Sequence, residues 1–336
     1  MSLSSALAPW KRAFAEKLVA AWYRGSVCLY LLRPLEAVFR AVAAMRRWSY
    51  RRGWLASYRP PVPVVVVGNI TVGGTGKTPL VVALVTGLQQ RGISVGVVSR
   101  GYGAEPGGSP HRVGHSSTAA QCGDEALLIY RRTGCPCVVA PSRVDAVRAL
   151  LVQATVDLII SDDGLQHYAL ARDMEIVLLD QNRGIGNGFC LPAGPLREPE
   201  ARLKISDYVL YRGGSDPVTA FSYEADCLQH VVSGEQRQAS PAVLSAQVHA
   251  VAGIGQPQQF FASLRDLGFI LVEHAFPDHH RFCAADFCDL IDMPIIMTEK
   301  DAVKCTGIVP DNAWYLKINA RLPPLVTEAV AALVRR

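Results

Sequence analysis

The sequence predicts an α/β protein: a mostly parallel sheet covered by helices on both faces, then a second, smaller α/β layer structure. Three observations predict this. Apolar, β-branched runs recur at residues 64–67, 95–99, 138–139, 156–161 and 175–180, too uniformly apolar for strands with one wet face. Helical patterns stand between them at 80–88, 126–131 and 143–153. The alternation resumes at 242–252, 256–267, 270–274, 286–290, 295–297 and 314–318, after a polar stretch at 212–238 with short strands expected near Phe221 and Val231. The chain therefore divides into a head over 1–60, a first domain over 61–211, a linker over 212–241 and a smaller domain over 242–336. Its 336 residues suffice for two cores, and 50% hydrophobic against 19% charged residues excludes wholesale disorder.

The first strand leads into the most informative stretch, VGNITVGGTGKTP over 67–79. Strand, glycine-rich loop and helix start in that order make a phosphate cradle. Backbone N–H groups of Thr71, Val72, Gly73, Gly74, Thr75 and Gly76 and the helix N-terminus face a polyphosphate. Lys77 reaches its outer oxygens and the Thr78 hydroxyl can hold Mg²⁺. The usual pattern has glycine where this chain has Thr71; Gly73 and Gly74 can still supply the unusual backbone angles. A glycine-rich turn that binds nothing is the plain alternative. The reading taken is a nucleoside triphosphate site.

Further candidates follow the strands. Arg100 lies between glycines in SRGYG, placed to touch phosphate or substrate, or simply exposed on a tight turn. Asp124, opening a helical pattern after Gly123, is the residue type that caps a helix, and spacing alone favours that role. The strand at 156–161 ends in Asp162-Asp163, an acidic strand end of the kind that completes a Mg²⁺ shell beside a phosphate loop. Residues 182–199 form a long Gly/Pro-rich loop, and loops of that length in a compact domain are usually functional; Arg197 in it is a candidate phosphate clamp. His279 and His280 fall on a turn, where a structural role is the ordinary one. Thr298-Glu299-Lys300-Asp301 is faintly similar to the base-reading loop of GTPases but lacks its asparagine.

The head has its own character. Residues 1–60 carry eleven Lys or Arg against Glu16 and Glu36, a net +9, so with +5 overall the remainder is −4. Its apolar stretch at 18–32 is broken by Arg24 and is too short to span a bilayer; no signal-peptide pattern precedes it. Leucines, valines, Trp22, Trp48 and Trp54 among arginines suit a segment lying in a membrane interface, with an ordinary amphipathic helix pair as the alternative. No base-reading module follows, which argues against nucleic acid. The nine cysteines form no disulfide or metal framework and read as reduced thiols of a cytosolic compartment.

Taken together, VGNITVGGTGKTP (67–79), SRGYG (99–103), GDE (123–125), SDDGLQH (161–167), LPAGPLREP (191–199), FPDHH (276–280) and TEKDAVK (298–304) resemble the tetraacyldisaccharide 4'-kinases of lipid A biosynthesis, over essentially the whole chain. The resemblance implies two α/β/α sandwich domains, the first P-loop NTPase-like, joined by a short β linker with the site in the cleft. It also implies ATP and Mg²⁺ as cofactors, an anionic lipid disaccharide 1-phosphate as acceptor, and a peripheral place on the cytoplasmic face of the bacterial inner membrane. Carried over by motif, Asp124 becomes general base and His279 its partner, reversing the capping reading, with Lys77 in the catalytic set. Thr78, Asp162 and Glu125 become metal ligands, the choice among Asp162, Asp163 and Glu125 staying open. Arg100, Asp163, His167 and Arg197 become substrate or transition-state contacts. Oligomeric state stays open. The rivals are a P-loop GTPase or ATPase switch of the metal-insertion or partitioning type, whose signature lysine position is Val72 here, and a membrane scaffold that binds nucleotide without transferring phosphate.

Overall fold

The computed structural model describes residues 17–74, 76–104 and 109–334. After a helical stretch over 17–24 and a 3-10 turn at Val27–Leu32, helix α1 spans Arg33–Arg51. Pro34 sits in its first turn, where a missing N–H costs nothing, and Glu36 pairs with Arg33 at 2.6 Å. Glu36 is buried because its carboxylate also accepts the Cys190 N–H at 3.0 Å, pinning α1 onto the 182–199 loop. Trp22 donates its indole N–H to the Pro192 carbonyl of the same loop at 3.1 Å. The outer side of α1 is bare: Leu31, just before it, and Leu35, Val38, Val42 and Met45 are 55–82% exposed at spacings of three and four. Among the described residues no helix is long and apolar enough to cross a membrane.

The sheet follows: β1 (Val64–Gly68), β2 (Val95–Ser99), β3 (His111–Arg112), β4 (Cys137–Val139), β5 (Leu158–Asp162), β6 (Met174–Asp180), β7 (Tyr208–Arg212), β8 (Ala220–His230), β9 (Gln236–Gln238), β10 (Gln247–Ala252), β11 (Ile270–Ala275), β12 (Ile295–Thr298) and β13 (Ala313–Arg321). They form one sheet in the order β11-β10-β12-β13-β8-β7-β6-β1-β5-β2-β4-β3, with β9 hung on β8. From β7 to β4 every neighbour is parallel, as are β13 to β11; the antiparallel seam is β8 against β13. The stretch at 212–238 is thus more than a linker with short strands. The eleven residues of β8 pair with β7 at one end and β13 along the rest, so one strand carries the sheet from its first wing into its second.

Alternation decides the layers. Val65 and Val67 face one core with Leu84, Leu88 and Leu127, while Val64 and Val66 face another with Val147, Leu150 and Leu165. The second wing repeats this, with Ala250 and Ala252 on one face and Val251 on the other. The helices are α2 (Lys77–Gln89), α3 (Ala119–Cys122), α4 (Asp124–Thr133), α5 (Arg143–Gln153), α6 (Pro257–Asp266), α7 (Glu299–Cys305) and α8 (Pro324–Val334). Helix α8 returns to the first wing, where Val326 and Val330 join the core of α2. The apolar segment at 286–290 forms no regular helix or strand; a 3-10 turn at Ala284–Asp286 precedes it. All nine cysteines are unpaired, and Cys28, Cys283 and Cys288 are exposed rather than buried.

Candidate active site

The carboxyl ends of β1, β5 and β2 lie side by side, and the sequence motifs follow directly from them. Past Gly68, Asn69 is buried and Thr71 and Val72 turn away from the cradle: Thr71 bridges to Leu196, and the Val72 N–H goes to the Pro195 carbonyl at 2.8 Å. Those two residues tie the phosphate loop to the 182–199 loop. Gly73 and Gly74 are exposed, and Thr75 lies outside the described residues. Gly76 adopts φ 75° as the N-cap of α2, and its close neighbour, the Tyr223 hydroxyl on β8, donates to its carbonyl; a Cβ here would collide with that hydroxyl. Gln256 donates to the Gly74 carbonyl at 2.7 Å, a second contact from the far wing.

Lys77 Nζ stands 3.3 Å from both Asn69 Oδ1 and Asp163 Oδ1. Arg197 forks the same Asp163 at 3.2 and 3.1 Å. Burial alone would push Asp163 up, but the two cations outweigh it and hold its carboxyl at about 2. Asp163 also takes φ 48°, an uncommon backbone for a non-glycine residue that aims its carboxylate at these cations. Lys77, Asp163 and Arg197 are one network.

Asp162 behaves differently. It is fully buried, Oδ1 has no hydrogen-bond partner, and Oδ2 lies 3.5 Å from the Ser99 hydroxyl. Burial, then the charge of Glu125, raises its pKa. An orphaned buried carboxylate beside a phosphate loop that ends in the buried Thr78 is a hard-oxygen donor set, and it suits a divalent cation. The described residues hold no cluster of three metal-binding side chains, so phosphate oxygens and water would complete such a shell. Behind Asp162 lies buried Arg143, donating to the Asp162 carbonyl at 2.7 Å with Nε and Nη1 unpartnered; burial lowers its pKa to about 10. His167 falls to about 4, through burial and then the charges of Arg143 and Arg100. Arg100 itself is exposed.

The largest departure from spacing arguments concerns Asp124. Gly123, at φ 81°, occupies the cap position of α4, so Asp124 is the first helical residue, 3% exposed. Its Oδ1 accepts the Glu125 N–H at 2.9 Å, and its Oδ2 accepts from His279 Nδ1 at 3.0 Å, across 155 residues. His279 has φ 58° and its ring lies 4.7 Å from that of Tyr102. Burial pushes Asp124 up, yet the His279 hydrogen bond, Lys300 and Lys304 overcome it and hold the carboxyl below its usual range. Lys300 Nζ pairs with Glu125 at 3.0 Å and lies 3.5 Å from His279 Nε2. A cavity of about 420 Å³ has Gly74, Gly76, Lys77 and Thr78 on one wall and Glu125, Asp278 and Lys300 on the other, with Leu128, Phe260 and Leu316 making its apolar part. Asp124 and His279 line a second cavity of about 460 Å³ with Tyr102 and Lys304.

Sequence reasoning missed Asn69, Arg143, Tyr223 and the lysines of α7. The one available signal was the i, i+4 spacing of Lys300 and Lys304 after an apolar strand, which puts both on one helix face.

A strand, glycine loop and helix set against a buried aspartate paired with a histidine, in an α/β sheet, define a P-loop phosphotransferase. Comparison with known proteins sharpens this: the chain belongs to the tetraacyldisaccharide-1-P 4'-kinase family, whose model matches residues 28–335. It is 52% identical over 327 residues to the tetraacyldisaccharide 4'-kinase of Azotobacter vinelandii, covering 96% of this chain and 98% of that one. To the enzyme of the same name from Pseudomonas putida strain F1 it is 51% identical, with coverages of 93% and 95%. The crystal structure of LpxK from Aquifex aeolicus in complex with ATP superposes with a TM-score of 0.77 at 27% identity, covering 92% of this chain and 99% of that one.

Proposed function

We propose that this protein transfers the γ-phosphate of ATP to the 4'-hydroxyl of a tetraacyldisaccharide 1-phosphate, the step that forms lipid IVA in lipid A biosynthesis. The observation that carries the reading is the cavity with the phosphate loop on one wall and the neighbours of Asp124 and His279 on the other. Residues 61–211, with helix α8 packed back onto them, are read as the nucleotide domain and the rest of 242–336 as the smaller domain closing on it, with 212–241 joining them.

Phosphoryl transfer is mainly positioning and charge neutralisation. Lys77 holds the outer phosphate oxygens, and Arg197 and Asp163 set the position of Lys77 from behind. Arg100 and His167 are read as contacts for the acceptor or the transition state. Asp124 takes the proton of the sugar hydroxyl as that oxygen attacks, while the His279 Nδ1–H on Oδ2 and the Glu125 N–H on Oδ1 fix the orientation of its carboxylate. Thr78 and Asp162, with Glu125 as a further candidate, would hold Mg²⁺, which supplies charge neutralisation on the phosphates when bound.

The test is incubation with γ-labelled ATP, Mg²⁺ and the disaccharide lipid. Label is expected at the 4' position, with ATP turned over well ahead of GTP. Nucleotide hydrolysis without labelled lipid, or a preference for GTP, would return the reading to a switch protein.

The head is read as a peripheral anchor on the cytoplasmic face of the inner membrane. The exposed row from Leu35 to Met45 would lie at the acyl boundary with Arg40, Arg46, Arg47, Arg51 and Arg52 near anionic head groups. Because Glu36 ties α1 to the 182–199 loop, side-chain changes test this better than deletion. Replacing Leu35, Val38 and Val42 together with serine is expected to weaken sedimentation with anionic vesicles by about tenfold or more while sparing the fold. Unchanged sedimentation would remove the interfacial role.

A further inference from the structure

Helix α7 carries a charge beyond the contacts that close its N-terminus. Asp301 is fully buried, and its Oδ2 accepts both the Gly253 N–H at 2.7 Å and the Thr298 hydroxyl at 2.6 Å. Thr298 in turn caps the helix by accepting the Asp301 N–H at 3.1 Å. Gly253, just past β10, leaves little room for a side chain, since a Cβ there would sit 3.0 Å from Asp301 Oδ1 and 3.2 Å from the Phe282 ring. These contacts alone dock α7 onto β10 and close its N-terminus. One turn on, Lys304 adds something else. Its Nζ lies 2.6 Å from Asp301 Oδ1 and 3.9 Å from Asp124 Oδ2, over the Phe282 ring at 5.1 Å, with the side chain 10% exposed.

Burying an ammonium carries a desolvation cost, which the buried Asp301 carboxylate beside it offsets in part. What the charge gains is a second carboxylate in the other wing of the sheet: Lys304 spans from the Asp301 hub to Asp124. On the other side of the same oxygen, His279 donates at 3.0 Å and Lys300 stands at 4.0 Å. Asp124 Oδ2 is therefore enclosed on several sides, and only Lys304 of these groups is itself anchored to a fully buried carboxylate.

We infer that Lys304, held in place by Asp301, is a positioning residue for Asp124, fixing the carboxylate rotamer that meets the acceptor hydroxyl. The inference rests on the reading of Asp124 as general base. Displacements of a reacting group by about 1 Å cost on the order of 10²-fold in rate, so a buried tether acting on the base has a measurable effect without touching substrate.

The test is Lys304→Met and Lys304→Arg, each made in the wild type and in Asp124→Asn, with kcat, KM for both substrates and thermal melting recorded. Lys304→Met is expected to lower kcat about 10- to 100-fold, leave both KM values within about twofold, and be largely rescued by Lys304→Arg. In the Asp124→Asn background the same change is expected to cost less than about twofold, because the group it positions is gone. An equal loss in both backgrounds, a loss confined to KM, or no loss overturns the role. Should Lys304→Met fail to fold, Asp301→Asn keeps the comparison: it loosens the anchor and is expected to show the same background-dependent loss in kcat, and a background-independent loss overturns the role equally. Undiminished turnover in Asp124→Asn alone would sink the general-base reading itself, whatever Lys304 does.

Discussion

Replacing Lys77 with methionine is expected to lower kcat on the order of 10³-fold and to weaken ATP binding, measured by single-turnover transfer of labelled phosphate and by nucleotide titration. Methionine matches the length of the stem, so the change removes a charge more than a volume. That charge is partly buried, with the side chain 10% exposed, and is already aimed by Asn69 and Asp163 at 3.3 Å. A preorganised donor costs little to reorient as negative charge moves during transfer, and losing one typically costs about 10²–10³-fold; a full cation belongs at the upper end. Asp163 would keep Arg197 as its remaining cation, so the 162–163 turn should survive and the loss should be chemical rather than structural. Tight ATP binding with normal product yield would leave the phosphate-loop reading without support.

How much of this was legible depended on how local the signal was. The nucleotide half could be read directly, because β-branched runs such as 64–67 and 158–162 are buried on both faces and the glycines after β1 have few other uses. Strand β8 could be read only as a short strand near Phe221. Phe221 and Leu228 are its buried residues while 224–226 are all exposed, so no period-2 pattern marks its length, and what extends it is pairing with β13 about ninety residues later. Asp124 shows the same limit at the site. Locally it has every mark of a cap, and only the fold reveals that Gly123 takes the cap position while the carboxylate turns to His279. Resemblance across seven motifs supplied that pairing; spacing did not. Lys304 was within a quoted motif, yet nothing in the sequence says which carboxylates its helix face will meet.

Replacing Asp124 with alanine is expected to lower kcat by about 10²–10⁴-fold and to leave activity that a labelled-ATP assay can still detect. The residual follows from the proposed division of labour: Lys77, the helix N-terminus and a Mg²⁺ held by Thr78 and Asp162 would neutralise charge without help from the base, and phosphoryl transfer needs little bond-making by the acceptor before the transition state. The same truncation leaves His279, Lys300 and Lys304 facing one another without the carboxylate that Oδ2 supplied, and loss of one partner from a buried charge cluster costs about 3–5 kcal/mol. Alanine therefore changes stability and chemistry together. Asparagine separates them, because its carbonyl oxygen can still accept from His279 while its amide cannot take a proton. Matching kcat losses in the alanine and asparagine variants, with melting depressed more strongly in alanine, identify the lost function as proton acceptance. Full turnover in the asparagine variant would instead make the buried carboxylate a structural counter-charge for the α7 lysines, and the proton of the acceptor hydroxyl would have to leave by another route.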